Sequence, residues 1–315
     1  MKILQTIISC LTIAFTTSFV SAQETKCDLH LMAIVIPEQG KAMPGNAAEL
    51  LENKLCAAIS NEDVHTNMDY AHFFVAAKVN ILSQEVLPGP PENTAVMLAV
   101  TLQVGDLIGE KIFASQTLEL KGVGNSEERA FTNAFRYLKA DNPKIKTLVL
   151  EGKAKIIDYF NRNFQNIVNK AQQCAAMKKY EEALYYIAAV PECCNRYPEA
   201  SQLTLTLYKK YIDENCRVLV NEARSIWMRS PDVDGANEIA TILTQIDPDA
   251  ACYGEAMALY KEVKAKIKDD WNFEMRQKYN DAIGIVKSKI EAARAIGVAY
   301  GNGQKEQTTN IMWLR

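Results

Sequence analysis

The spacing of apolar residues changes near Pro143, and this change restricts the chain to a mixed fold. Before Pro143, several short segments alternate apolar and polar side chains, which is the period of β-strands. After it, apolar residues recur every three to four positions, which is the period of amphipathic helices. Because a sheet face and a helix stripe must each pack against another element, we predict an α+β fold in two parts.

The N-terminal part, residues 23–142, has the predicted element order β-α-β-β-β-α. Strands are predicted over Phe73–Ile81 and Val96–Val104, where apolar residues alternate. After a turn at Gly105–Gly109, Lys111–Leu120 is predicted to run back until Gly122 and Gly124 end the strand. A stiff loop at Pro88–Pro91 precedes the last two of these strands, and Asn125 is predicted to cap the last helix. We therefore predict a module in which the helices pack on one face of a sheet.

The C-terminal part, residues 143–300, is predicted to be an all-α domain of helical hairpins. Proline and glycine clusters separate its helices. The predicted helices cover residues 145–177, 180–190, 198–215, 216–229, 235–245, 250–265 and 269–298. Residues 301–315 form a C-terminal tail, in which Thr308–Leu314 is either a terminal strand or a docking segment.

Residues 1–22 have the pattern of a signal peptide. Lys2 supplies the positive charge, an apolar run follows, and small residues precede a cleavage site after Ala22. The alternative is a retained membrane anchor, but serine and threonine interrupt the apolar run. No later stretch approaches the ~20 apolar residues that span a bilayer. We therefore predict export to a bacterial periplasm and no transmembrane span in the mature chain.

Composition excludes several classes of function. The chain has 35 Lys and Arg against 38 Asp and Glu, a net charge of −3, and 48% hydrophobic residues. These values exclude a disordered chain and argue against a nucleic-acid partner, which requires a basic surface. Only three histidines occur, at positions 30, 65 and 72, and no nucleophile elbow or metalloprotease motif is present. We expect no catalytic residues, no metal and no cofactor.

Seven cysteines remain after the predicted cleavage, so at least one thiol is unpaired. An oxidising compartment permits disulfides. The predicted bond joins Cys193 or Cys194 to Cys174 or Cys216, and the sequence leaves the connectivity open. Because no Cys-x-x-Cys motif occurs, we favour structural cysteines over redox catalysis.

The segment Lys179–Tyr186 resembles the turn and second-helix start of a tetratricopeptide repeat. Ala171 lies where such a repeat has a small residue, and Ala236 precedes Pro248 by the repeat's Ala-to-Pro spacing. The resemblance covers about residues 160–265. It implies stacked helical hairpins whose concave surface binds a protein or peptide. The alternative is a plain helical bundle without repeat curvature.

The N-terminal part resembles the periplasmic modules of penicillin-binding-protein activators and of curli secretion-channel components. The resemblance rests on the element order and on Lys121–Glu128, which leads from a strand into an alanine-rich helix. The whole chain also resembles exported Bacteroidetes proteins of unknown function. These resemblances imply a location in the cell envelope, since fold analogy alone does not establish function.

Tyrosines are concentrated at the start of the helical part, and four are candidate partner-binding residues: Tyr180, Tyr185, Tyr186 and Tyr208. Tyrosine suits this role because it offers a large contact area and a hydroxyl group. We expect an exported, non-enzymatic interaction scaffold that binds a protein or peptide in the cell envelope. Two alternatives are an accessory factor for cell-envelope or cell-wall assembly, acting through the α/β module, and a hydrolase of an unrecognised family.

Overall fold

The computed structural model describes residue 29 and residues 31–35, 43–60, 72–139, 141–276 and 282–305. The predicted signal peptide, with its cleavage after Ala22, lies outside these residues. So does the predicted strand or docking segment at Thr308–Leu314.

The N-terminal part forms one mixed sheet. Its described strands are β1 (Leu31–Val35), β2 (Phe73–Leu87), β3 (Asn93–Asp106) and β4 (Lys111–Gly124). They are arranged in the order β1-β2-β3-β4, with β1 parallel to β2 and the remaining pairs antiparallel. One helix follows β1 and another follows β4, which confirms the predicted element order and the α+β fold.

The strands β2 and β4 extend beyond the segments predicted for them, because antiparallel pairing with β3 continues to their ends. β2 continues to Leu87, immediately before the proline-rich loop, and β4 continues to Gly124. Gly122 and Gly124 were expected to terminate β4, yet both lie within it. The following helix crosses so closely here that a side chain at Gly122 would overlap the Ala130 carbonyl.

The described helices are α1 (Ala47–Ser60), α2 (Glu127–Phe135), α3 (Pro143–Ala176), α4 (Tyr180–Ile187), α5 (Tyr197–Arg229), α6 (Val233–Leu243), α7 (Tyr253–Ile267) and α8 (Ala282–Lys305). A short 3₁₀ turn, Lys268–Asp270, follows α7. Ser126 caps α2 in place of the predicted Asn125, because its extended backbone lets its hydroxyl oxygen accept the Arg129 N–H at 3.2 Å.

The core runs without interruption from the sheet into the helices. Alternate residues of β3, from Val96 to Val104, point to one face of the sheet, where α2 and α3 pack and α1 lies beside them. The first half of α3 lies against the sheet, and Gly152 allows its backbone to approach Val104. The second half of α3 pairs with α4. The change of period at Pro143 is therefore a change of secondary structure and does not divide the hydrophobic core.

The helical part differs from the prediction at three positions. α5 continues through Asn215 and Cys216, where a break was predicted, because no helix-breaking residue lies there and its buried stripe continues. The residues Trp271–Arg276 form no helix, although a helix was predicted from Asp269. Finally, α8 extends to Lys305, so the glycines after Tyr300 do not end it.

The helices do not have the equal lengths of tetratricopeptide hairpins. A typical repeat of that kind pairs two similar helices within 34 residues. Here α4 has 8 residues and α5 has 33. The likeness to the repeat remains one of local sequence, and stacked regular hairpins are not observed in the described residues.

A disulfide joins Cys216 on α5 to Cys252, the residue before α7, with their Cα atoms 6.1 Å apart. Cys193 is also disulfide-bonded, whereas Cys174 and Cys194 are buried free thiols. The prediction that Cys193 or Cys194 pairs with Cys174 or Cys216 is therefore wrong. The buried stripe of α5 places Cys216 next to Cys252, a pairing that the sequence did not reveal.

Candidate functional site

A cleft of about 370 Å³ opens where the turn between α3 and α4 meets α5 and α8. Its size lies at the lower end of the range for ligand-binding pockets. We call it the tyrosine cleft, and its lining residues are Lys178, Lys179, Tyr180, Glu181, Glu182, Tyr211, Glu214, Asn215, Val218 and Tyr300.

A tight reversal of the chain forms one wall of the tyrosine cleft. Lys178 adopts a left-handed backbone conformation with φ of 60°, which lets the chain turn sharply after α3. The N–H of Lys179 donates to the Cys174 carbonyl at 2.9 Å and ties the turn to the end of α3. This turn places two lysines at the rim of the cleft, opposite α5.

Charges of both signs surround the tyrosine cleft and pair across it. Lys178 Nζ lies 3.4 Å from the carboxylate of Glu214 on α5, which also accepts a hydrogen bond from Arg217. Burial alone would raise the pKa of Glu214, but Arg217 and Lys178 lower it below its ordinary value. Such partly exposed ion pairs contribute little to stability, so replacing them by contacts with a ligand would cost little.

Three tyrosines supply the aromatic surface of the tyrosine cleft: Tyr180, Tyr211 and Tyr300. Burial raises the pKa of Tyr211, and the nearby Glu181 adds to this. Burial and the charge of Glu182 likewise raise the pKa of Tyr300. The cleft therefore combines neutral hydroxyl groups, aromatic faces and charged groups, which are the contacts that protein interfaces use.

Of the four tyrosines predicted to bind a partner, only Tyr180 lines the cleft. Tyr185 packs beneath α8, where Gly297 and Gly301 let the helix backbone approach its main chain and ring. Its ring meets that of Tyr186 at 5.2 Å between centroids. Burial, together with the charge of Asp106, raises the pKa of Tyr185 to about 12.

Tyr186 and Tyr208 also serve packing. The ammonium group of Lys170 lies 3.9 Å from the centre of the Tyr186 ring. Tyr208 is 8% exposed, and its hydroxyl donates to the Asp247 carboxylate at 2.7 Å. Burial and this bond raise the pKa of Tyr208. The structure therefore does not bring the four predicted tyrosines to one surface.

Tyr211 and Tyr300 were not among the predicted site residues. Tyr211 lies three positions after Tyr208 on α5, within the same concentration of tyrosines, so its spacing offered a signal. Tyr300 comes from α8, almost ninety residues further along the chain. Only the tertiary packing of α8 brings it to the cleft.

A second cluster of titratable groups joins the sheet to the helical part. His72 Nδ1 lies 2.9 Å from the carboxylate of Asp106, which is 1% exposed. The other ring nitrogen, Nε2, lies 3.1 Å from the Ala189 carbonyl oxygen. A histidine base in a hydrolase needs one free nitrogen that faces the nucleophile, and here both nitrogens are bonded. This histidine–aspartate pair therefore has the geometry of a structural connection between β2, β3 and the segment after α4.

The described residues contain no group of three or more His, Cys, Asp or Glu arranged to hold a metal ion. None of the helices in that part of the chain combines the length and the apolar character needed to cross a bilayer.

Comparison with known proteins does not assign the chain to a family. No protein-family description and no curated protein matches it. A solved structure of a minor lipoprotein from Acinetobacter baumannii matches 40% of this chain and 93% of its own, with 18% identity and a TM-score of 0.26. A "putative lipoprotein" from Caulobacter crescentus CB15 matches 40% of this chain and 83% of its own, with 13% identity and a TM-score of 0.23. These scores are too low to transfer a fold or a function.

Proposed function

We propose that this chain is an exported, non-enzymatic binding protein whose tyrosine cleft holds a segment of a partner protein in the cell envelope. The observation that carries the proposal is the open cleft of about 370 Å³ in which three tyrosines stand among lysines and glutamates. Tyrosine is enriched in the energetic centres of protein interfaces. The sequence pattern of a signal peptide supports the exported location.

Exposed apolar side chains extend the surface at the cleft. Val218 lines the cleft from α5 and is 56% exposed. Met177, at the end of α3, is also exposed and directly precedes the two cleft lysines. An apolar patch with a polar, charged rim is the usual anatomy of a protein-binding surface. The mixed charges favour a partner segment that itself carries both signs.

A matched pair of substitutions on α5 tests the proposal. Val218→Glu places a charge in the tyrosine cleft, whereas Met228→Glu places the same charge on the same helix outside the cleft lining, at a side chain that is 78% exposed. Both variants should fold, because both positions are exposed. We expect the first to reduce recovery of the native partner about tenfold and the second to leave it unchanged. Equal recovery by the two variants would contradict the proposal.

The same pair of variants separates the proposal from its alternatives. An accessory factor that acts through the α/β part would bind its partner equally well in both variants. Deleting residues 144–315 would not test this, because α3 covers the sheet and its loss would expose the core. A hydrolase that uses a histidine base needs a ring nitrogen free to face its nucleophile, and both ring nitrogens of His72 are bonded.

A further inference from the structure

The outer edge of β2 is paired with β1 near the start of the strand and, among the described strands, is unpaired near its end. Within the residues that the structure describes, β1 pairs with β2 over Phe73–Ala77. The last part of β2, Asn80–Leu87, pairs with β3 on one side, and among the described strands none pairs with its other side. Every residue of Asn80–Leu87 is exposed. We call this segment the β2 edge.

The β2 edge carries four large apolar side chains, and all are exposed: Ile81, Leu82, Val86 and Leu87. Soluble proteins protect such edges with lysine, proline, bulges or inward-pointing charges, since an unpaired apolar edge is a template for another strand. The β2 edge has a single charged residue, Glu85, and one register shift between Ile81 and Ser83. Its exposed apolar surface therefore indicates an interface.

We propose that the β2 edge pairs antiparallel with the β2 edge of a second copy of this chain. In this arrangement Ile81 lies opposite Val86 of the second copy, and Asn80 lies opposite Leu87. The two sheets then form one continuous sheet across a two-fold axis. This proposal is independent of the proposed function of the tyrosine cleft.

The pairing with β3 shows that this register matches apolar side chains on one face. Ile81 lies opposite Leu98 and Val86 lies opposite Thr94. Leu98 and Thr94 are four positions apart on one strand and so share a face. Ile81 and Val86 therefore point to the same side of β2, at 53% and 64% exposed. In a two-fold pair each covers the other, and the contact occurs twice.

The length of the free edge favours a second copy over other occupants. β1 occupies Phe73–Ala77, so an added strand has room only beyond that segment. In the proposed register Leu82, which has no partner in the pairing with β3, also stays unpaired. The other seven residues of Asn80–Leu87 pair with themselves about a two-fold axis at Gln84, over about 24 Å. Seven paired residues on each side form a smaller interface than the roughly 20–30 residues a side of a standard stable complex. The dimer should therefore depend on concentration.

Analytical ultracentrifugation of the mature full chain over a range of concentrations tests the pairing. We expect a monomer–dimer equilibrium, and Ile81→Lys should raise the dissociation constant at least about tenfold, because lysine on an edge strand opposes pairing. Val123→Lys is the matched control, since Val123 is exposed on β4, the opposite edge of the sheet. A monomer at all concentrations, or equal effects of both substitutions, would overturn the proposal.

A cysteine pair tests the register itself and does not depend on the strength of the dimer. In the double variant Ile81→Cys/Val86→Cys, the thiol at position 81 lies opposite the thiol at position 86 of the second copy. Oxidation should therefore give a covalent dimer. Either single variant should not crosslink in this register, because its thiol faces an apolar side chain. Efficient crosslinking of a single variant, or none of the double variant, would overturn the register.

Discussion

Two groups of tyrosines in the helical part differ in what surrounds them. Tyr185 packs beneath α8, and the hydroxyl of Tyr208 donates a hydrogen bond to Asp247. Tyr180, by contrast, lines an open cleft. The comparison shows that residue type and helical spacing do not distinguish a packing tyrosine from a binding one. The distinction depends on which distant element lies over the side chain.

The largest expected effect comes from the packing group. Tyr208→Ala should reduce the free energy of unfolding by about 3–5 kcal/mol, because it opens a cavity in the core beneath α5. Tyr208→Phe should cost only about 1 kcal/mol, since it keeps the ring and removes the bond to Asp247. Urea unfolding of the two variants separates these contributions. If Tyr208→Ala lowered the free energy of unfolding by less than about 1 kcal/mol, Tyr208 would not be a packing residue of the core.

The pH dependence of stability gives an intermediate effect. The folded protein raises the pKa of Tyr185 to about 12, above the ordinary value of 10. Between those values the unfolded chain releases the proton that the folded chain keeps, so this contribution to stability is complete below pH 10 and is lost as the pH rises to about 12. Thermal melts of wild type and Tyr185→Phe from pH 8 to 12 should diverge above pH 10, with the wild type declining more steeply. Parallel curves would contradict the packing role of the Tyr185 hydroxyl.

The smallest expected effect on stability belongs to the cleft group. Tyr180→Ala should reduce the free energy of unfolding by about 1 kcal/mol or less, because its side chain is partly exposed where it lines the open cleft. The same variant should weaken partner binding several-fold, since it removes an aromatic contact. Denaturation and binding measured on one preparation test both statements. A stability loss comparable to that of Tyr208→Ala would remove the difference between the two groups.

The sheet was predictable because its signal is local. The alternation of Val96–Val104 and the turn before Lys111 define a hairpin without knowledge of the remaining chain. The full length of β2 was less predictable, since pairing with β3 holds Asn80–Leu87 in a strand despite its exposure. The sequence pattern therefore predicted the presence and order of the strands better than their ends.

The cleft and the disulfide depend on long-range packing, so the sequence revealed them only in part. Tyr180 was predicted from the concentration of tyrosines at the start of the helical part, whereas Tyr300 reaches the cleft only through the docking of α8. The bond between Cys216 and Cys252 depends on the continuity of α5 through a predicted break. In each case one residue was predicted to lie on a helix, but the distant residue that it contacts was not predicted.

Site-specific photocrosslinking in cells that express the native chain tests the binding role of the tyrosine cleft most directly. A photoreactive amino acid is placed at Val218, in the cleft, or at Met228, on the same helix outside the cleft lining. We predict a discrete crosslinked partner from position 218 that Tyr180→Ala diminishes, and no such product from position 228. The same product from both positions, or its persistence in the Tyr180 variant, would contradict a partner bound in the cleft.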